Sequence, residues 1–277
     1  MSDLLGRIAA RLRAASITDA DGEARRIVSA AHAQGDKAGA DERALAMAEQ
    51  RANGKPLAYV LGRDTFMGVE LIVAPGALAP RDETELLGNT ALESLRRSGL
   101  AAPRVIDMCC GSGNLACAIA YHVPSARVWA SDLTDGCVDV ARRNVAQLGL
   151  QPRVHVAQGD LFAGFAGMGL EGAIDLIVCN PPYISAKRLA EDRAHLLAHE
   201  PREAFDGGPY GLSIHQRVIK ECLPFLRPGG YLLFEIGLGQ DRQVKILFER
   251  AKVYDDIRLV SNAAGEARVA QGRRKAV

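Results

Sequence analysis

Aromatic residues are scarce in this chain, at 5% of the total with a single tryptophan. Packing must therefore rest on Leu, Val, Ile and Ala. An excess of charge is missing too. A formal net charge of +1 argues against a strongly basic, sequence-blind nucleic-acid binder. The basic runs Arg96-Arg97, Arg142-Arg143 and Arg273-Arg274-Lys275 read as solvated faces. Metal-binding spacing is absent: Cys109, Cys110, Cys117, Cys137, Cys179 and Cys222 form no C-x-x-C pair and have no His partners at zinc distance. No metal is expected, and the thiols read as reduced side chains of a cytoplasmic protein. No charged-then-apolar leader starts at Met1, and no apolar run reaches about 18 residues, so the expectation is a chain neither secreted nor membrane-spanning. Internal repeats and low-complexity tracts are absent as well.

What is present is an ordinary globular balance, 48% apolar and 24% charged, over 277 residues. That length fits one large domain and a smaller one. Residues 1–54 read as helices. Leu4, Leu5, Ile8 and Leu12 recur at helical spacing; Asp19 or Asp21 can cap a second helix, and Asp41 a third. Residues 55–80 change character. Tyr59-Val60-Leu61-Gly62 precedes the alternating run Phe66–Val73, which predicts a β-hairpin linking two domains. From 81 to 277 strands alternate with helices: strands at Val105–Met108, Val128–Asp132, Val154–Ala157, Ile174–Cys179 and, after the turn Pro228-Gly229-Gly230, Tyr231–Ile236. Such alternation predicts an α/β domain with a doubly wound parallel sheet.

Ligands of such sheets sit at the carboxyl ends of the strands. The first strand runs into Asp107-Met108-Cys109-Cys110-Gly111-Ser112-Gly113-Asn114, where small residues let the backbone approach a ligand and a helix begins at once. Asp132 ends the second strand, placed to accept from both hydroxyls of a ribose, with Leu133 beside it. Asp160 ends the third strand, placed to meet an adenine amino group, with Leu161 or Phe162 against the ring. Asp107, Cys109, Gly111, Gly113, Asp132, Leu133, Asp160, Leu161 and Asn180 are the candidate cofactor contacts. A dinucleotide would call for a third glycine, where this chain has Asn114-Leu115-Ala116; a nucleoside without phosphates fits better.

The fourth strand enters Asn180-Pro181-Pro182-Tyr183. The Asn180 side-chain carbonyl and the main-chain carbonyl of Pro181 are neighbouring acceptors in a stiff loop, suited to both hydrogens of an NH₂ group. Tyr183 offers a flat face to a planar substrate. An amide or aryl amine nitrogen has a delocalised lone pair, and holding both hydrogens aims it at an electrophile; orientation and electrostatics then carry the reaction. Asn180, Pro181 and Tyr183 are therefore the candidate catalytic residues.

These segments, taken together, resemble the HemK-type release-factor glutamine methyltransferases over roughly residues 55–275. Pro56–Gly62, Phe66-Met67-Gly68 and Pro80–Leu86 resemble the family's interdomain entry, hairpin and following helix start. Asn180–Ile184 matches its active-site loop. His199-Glu200-Pro201-Arg202, Phe205–Gly208 with Gly211-Leu212, and Pro228-Gly229-Gly230 with Glu235-Ile236-Gly237 and Gln240 resemble further signatures. The resemblance implies a Rossmann-like class I methyltransferase sheet, a helical N-terminal domain that docks a protein substrate, and S-adenosylmethionine at Gly111, Gly113, Asp132 and Asp160. It also implies a glutamine amide held by Asn180 and Pro181, with Phe66, Glu83, Thr84, Pro182 and Tyr183 near the substrate. The chain departs from the family at Cys109-Cys110, where Gly-Thr is usual, at Asn114, at Asp82, and in a shorter N-terminal domain with the polar stretch Gln34–Ala40. A release factor or another glutamine-bearing protein is the expected partner. A small amino-acid-like molecule is the alternative, and adenine in nucleic acid a weaker one, since base flipping would want an aromatic and basic recognition surface. A binding module or redox sensor built on Cys109 and Cys110 is disfavoured, because adjacent cysteines rarely bridge.

Overall fold

The computed structural model describes residues 2–33, 37–185, 205–208 and 210–276, which fall into two compact units, Met1–Asp64 and Thr65–Val277. The first holds α1 (Ser2–Ala14), α2 (Ala20–Ala33), α3 (Ala40–Ala52) and α4 (Leu57–Leu61). Its core gathers Leu4, Ile8 and Leu12 with Ile27, Ala44 and Met47, following the three-to-four-residue spacing in the sequence. Asp19 caps α2 by accepting the Gly22 N–H at 3.1 Å. Asp41 does not cap α3: the helix begins one residue earlier, and Asp41 sits in its first turn, 3.3 Å from His32.

The unit boundary lies after Asp64, not after residue 54. Tyr59–Leu61 are helical, and Val60 and Leu61 bury their side chains with Ile8 and Ile27, so the expected start of the linker belongs to the helical core. Gly62 ends α4 at φ 72°, a left-handed cap that glycine adopts without cost.

The chain enters the second unit through a short hairpin, β1 (Arg63–Phe66) and β2 (Val69–Ile72), turning at Met67 and Gly68. A 3₁₀ turn over Asp82–Thr84 leads into α5 (Glu85–Ser98). There follow β3 (Arg104–Met108), α6 (Asn114–His122), β4 (Arg127–Asp132), α7 (Asp135–Gln147), β5 (Val154–Gln158) and β6 (Ile174–Cys179). The unit closes with α8 (Ser213–Glu221), β7 (Leu226–Glu235), α9 (Asp241–Ala251), β8 (Tyr254–Ser261) and β9 (Ala267–Arg274).

The strands form one seven-stranded sheet in the order β5-β4-β3-β6-β7-β9-β8. The five from β3 to β7 are parallel, as expected, whereas β9 runs antiparallel to β7 and β8 antiparallel to β9. Side-chain alternation divides the core. Val105, Val128 and Val178 pack with Leu87, Leu115 and Ala141 of α5, α6 and α7 on one face. Ile106, Ile177 and Phe234 pack with Val218, Val244 and Phe248 of α8 and α9 on the other. The Pro228-Gly229-Gly230 turn proves to lie within β7, where pairing with β6 shifts register. Of the terminal basic run, Arg273 and Lys275 are exposed, as expected, whereas Arg274 ends β9 half-buried and donates to the Leu223 carbonyl at 2.7 Å.

Candidate active site

Strand order reverses between β4-β3 and β6-β7, and the loops leaving β3 and β6 border the cleft at that switch point. The β3 loop is held by its neighbours. Cys110 donates its N–H to the Ser131 carbonyl at 3.0 Å, and Gly111 donates to Asp132 Oδ2 at 2.9 Å. Gly111 and Gly113 both have positive φ, 53° and 75°. Gly113 is required twice over, because a Cβ there would stand 3.1 Å from the Ala141 Cβ and 3.3 Å from its Cα, where α6 starts against α7. Cys109 is left-handed as well, at φ 57°. For a residue with a Cβ that conformation costs on the order of 1–2 kcal/mol, which glycine avoids. At the end of the neighbouring strand burial pushes the Cys179 thiol well above its ordinary value, and the adjacent Cys109 adds to the rise.

Beneath this loop Asp107 is fully buried. Its Oδ2 accepts the Ala116 N–H at 2.9 Å, while Oδ1 has no partner. Loss of hydration lifts its pKa to about 8, opposed by the Ala116 bond and reinforced by the charge of Asp132. The folded protein therefore keeps a proton that the unfolded chain releases from about pH 4 upward. The resulting stability is complete below pH 4 and drains away as pH climbs toward 8, with a limiting slope of about 1.4 kcal/mol per pH unit. An Asp107→Asn variant cannot titrate and escapes the loss. Its urea midpoint should gain on that of the native chain between pH 5 and pH 8, and a gap independent of pH would refute a protonated Asp107.

One wall of the cleft continues through Asp132, Leu133, Asp160 and Leu161, and another through Asn180 and Pro182. Asp132 Oδ1 also accepts the Thr134 N–H at 3.3 Å, so the carboxylate is oriented by two main-chain donors with lone pairs to spare. Leu133 is 57% exposed, an apolar surface at the rim. Ser112 lines the cleft with a buried hydroxyl that has no partner. Asp160 differs from expectation: both of its oxygens accept from Arg217 of α8, at 2.9 and 3.1 Å.

A second cleft adjoins the first and shares Leu78, Arg81 and Asn180 with it. Glu83, Pro181, Tyr183, Glu235, Gln240 and Arg268 complete most of its wall. Asn180 Nδ2 donates to Thr84 Oγ1 at 3.1 Å, and the Thr84 hydroxyl donates to Glu235 Oε2 at 2.6 Å. The Tyr183 hydroxyl donates to Glu235 Oε1 at 3.2 Å, with Arg268 3.6 Å from the same oxygen. Burial raises the pKa of Glu235, and the Thr84, Arg268 and Tyr183 contacts pull it back. Tyr183 is driven well above the ordinary phenol range by burial and the Glu235 charge, so it stays protonated. Gln240 ties the loop down by donating to the Tyr183 carbonyl at 2.9 Å and accepting the Gly237 N–H at 2.9 Å.

The two clefts thus bring together Cys109, Gly111, Asp132, Leu133, Asp160, Leu161, Thr84, Asn180 and Pro182 in the first, and Glu83, Pro181 and Tyr183 with Asn180 in the second. Three expected contacts line neither. Phe66 is 1% exposed, since the alternation of β1 turns it into the core with Leu71 and Leu87. Asp107 and Gly113 support the loop from below. His199-Glu200-Pro201-Arg202 lie outside the described residues. Sequence reasoning missed Glu235 and Arg268 as individual residues. An acid closing the apolar run Tyr231–Phe234 was the available signal for Glu235; Arg268 had none.

Residues 84–209 match the methyltransferase small domain family. The chain is 37% identical over 220 residues to a release factor glutamine methyltransferase of Moorella thermoacetica, covering 79% of this chain and 75% of that one. It is 39% identical over 193 residues to a ribosomal protein uL3 glutamine methyltransferase of Bradyrhizobium diazoefficiens, covering 68% and 59% respectively. The crystal structure of the N-terminal domain of human METTL16 in complex with SAH superposes at a TM-score of 0.54 with 17% identity, covering 85% of this chain and 82% of that one, a likeness of fold. Fold and site define a Rossmann-like class I methyltransferase, an enzyme that uses S-adenosyl-L-methionine to methylate nitrogen. Within that class the chain belongs to the HemK-type release-factor glutamine methyltransferase family. The first cleft suits such a nucleoside cofactor: it offers an oriented carboxylate with free lone pairs, an unpartnered buried hydroxyl and an apolar rim and, among the described residues, no cluster of cations for phosphates.

Proposed function

We propose that this enzyme methylates the side-chain amide nitrogen of a glutamine in a peptide-release factor. The observation that carries the reading is the commitment of Asn180 Nδ2 to Thr84, which leaves the Asn180 carbonyl oxygen for an acceptor's N–H at the junction of the two clefts. In this reading Asn180 Oδ1 and the Pro181 carbonyl take the two amide hydrogens, and Tyr183 lies along the planar amide. Asp132 accepts from the ribose hydroxyls of the cofactor, Leu133 and Leu161 flank its base, and Asp160, braced by Arg217, faces the base edge. Bound cofactor supplies a methyl group on a positively charged sulfur, already electrophilic. The protein's contribution is to orient the nitrogen and exclude water; the amide proton can leave after transfer, so no strong base is needed. Glu83 adds negative charge to the wall of the acceptor cleft, and the helical unit 1–64 serves to dock the protein substrate.

The relative named for uL3 supports the same chemistry on another glutamine-bearing protein. The test is a tritiated S-adenosylmethionine assay with three acceptors offered separately: a release factor, ribosomal protein uL3, and a macromolecule-free pool of amino acids and amides. Label on one glutamine of the release factor, located by peptide mass spectrometry, is the expected result. Label confined to uL3 or to the small pool would overturn the proposed acceptor.

A further inference from the structure

Resting on the reading above, in which Asn180 grips the acceptor nitrogen, we infer that Glu235 is a positioning residue: through Thr84 it decides which end of the Asn180 side-chain amide faces the acceptor, so that the site takes an NH₂ group and refuses a carboxylate.

The argument follows from what each group can donate. An ionised carboxylate only accepts, a hydroxyl donates one hydrogen and accepts through its lone pairs, and a primary amide has one accepting and one donating end. Glu235 is 2% exposed and lies 2.6 Å from Thr84 Oγ1; in its ionised form, with Arg268 3.6 Å from its other oxygen, it takes the only hydrogen of that hydroxyl. Thr84 is 2% exposed as well and has no second hydrogen to offer. Its oxygen can then only accept, and the partner 3.1 Å away is Asn180. Rotating the Asn180 amide by half a turn would set its carbonyl against the Thr84 lone pairs, two acceptors face to face in a part-buried place, which costs the bond. Asn180 thus presents Oδ1 to the acceptor. The polarity of the site is set at Glu235 and passed along two hydrogen bonds to the residue that touches substrate. Tyr183 and Arg268 hold the other oxygen of Glu235, at 3.2 and 3.6 Å, so the carboxylate that fixes Asn180 also anchors the tyrosine of the same loop. A glutamate side chain, which brings only acceptors, would meet Oδ1 with like polarity, and discrimination of glutamine from glutamate follows.

The closing experiment compares Thr84→Val, Thr84→Ser and Glu235→Gln with the native enzyme, using a release factor as acceptor. Thr84→Val should lower kcat by roughly 10²-fold, since the amide end facing the nitrogen is no longer held. The acceptor KM and the dissociation constant for S-adenosylmethionine should each stay within about threefold, because binding of the whole substrate does not depend on this one hydrogen bond. Thr84→Ser keeps the hydroxyl and should recover turnover to within about threefold of native. Glu235→Gln, which can donate as well as accept, should fall between the two. A Thr84→Val enzyme that turns over like the native one, or equal losses in the serine and valine variants, would overturn the inference. A second readout needs no acceptor. In protein labelled with ¹⁵N-asparagine, the Asn180 side-chain pair is identified by its loss in Asn180→Asp. One of its protons should exchange slowly in the native and Thr84→Ser proteins and rapidly in Thr84→Val; identical exchange in all three refutes the relay. If the native enzyme ignores the release factor, the acceptor reading fails, and the exchange data still decide the relay.

Discussion

Replacing Asn180 with alanine is expected to lower kcat by about 10³-fold, at the upper end of what one positioned polar group contributes to a transition state. The variant loses the acceptor that aims the nitrogen, and the nitrogen is a poor nucleophile to begin with, so almost all of the effect falls on the chemical step. Cofactor affinity should change by less than about threefold, because Asn180 borders the first cleft only at its junction with the second while the carboxylate at Asp132 and the β3 loop are untouched. Single-turnover kinetics with saturating cofactor, beside calorimetric titration of the cofactor, separates the two quantities. A variant that loses cofactor binding along with turnover would show that Asn180 holds the cofactor and not the acceptor.

Asp132→Ala should act the other way round. The side chain organises the loop through the Gly111 and Thr134 N–H groups, at 2.9 and 3.3 Å, and its remaining lone pairs are assigned to a ribose. Hydrogen bonds to a charged partner contribute roughly 1.5–3 kcal/mol each. Loss of two to the ribose, with an unpaired Gly111 donor left behind, should weaken cofactor binding by about 10²-fold or more. At saturating cofactor kcat should fall far less, within about tenfold, since the acceptor grip is intact. An unaltered cofactor titration would remove Asp132 from the cofactor's side of the site.

The parallel part of the sheet was legible residue by residue. Val105-Ile106, Val128-Trp129-Ala130 and Leu176–Cys179 are continuous apolar runs with a loop of small residues after the first, and a strand buried on both faces needs such a run. The antiparallel β8 and β9 were not legible. Asp255, Asp256, Arg258, Gln271, Arg273 and Arg274 interrupt their apolar pattern, because β8 is the sheet edge, unpaired on its outer side, and this end of the sheet can carry charge. The helix at Leu57–Leu61 was hidden for the opposite reason: five residues are too few for periodicity to distinguish helix from strand.

The site divides along a similar line. The order of residues along the chain determined that a glycine loop, Asp132 and Asn180-Pro181-Pro182-Tyr183 each follow a strand, and parallel strands of one sheet must deliver their carboxyl ends to the same edge. That much is a consequence of local pattern and topology. Tertiary structure alone decided that Phe66 turns into the core, that Arg217 occupies both oxygens of Asp160, and that Thr84, Glu235 and Arg268 meet behind the active-site loop. Thr84 and Glu235 are 151 positions apart, and Glu235 lies beside Arg268 only because β9 folds back antiparallel to β7. No local pattern encodes such a meeting: hydrogen bonds between buried polar side chains depend on which strands are neighbours, and that is settled by the packing of the whole sheet.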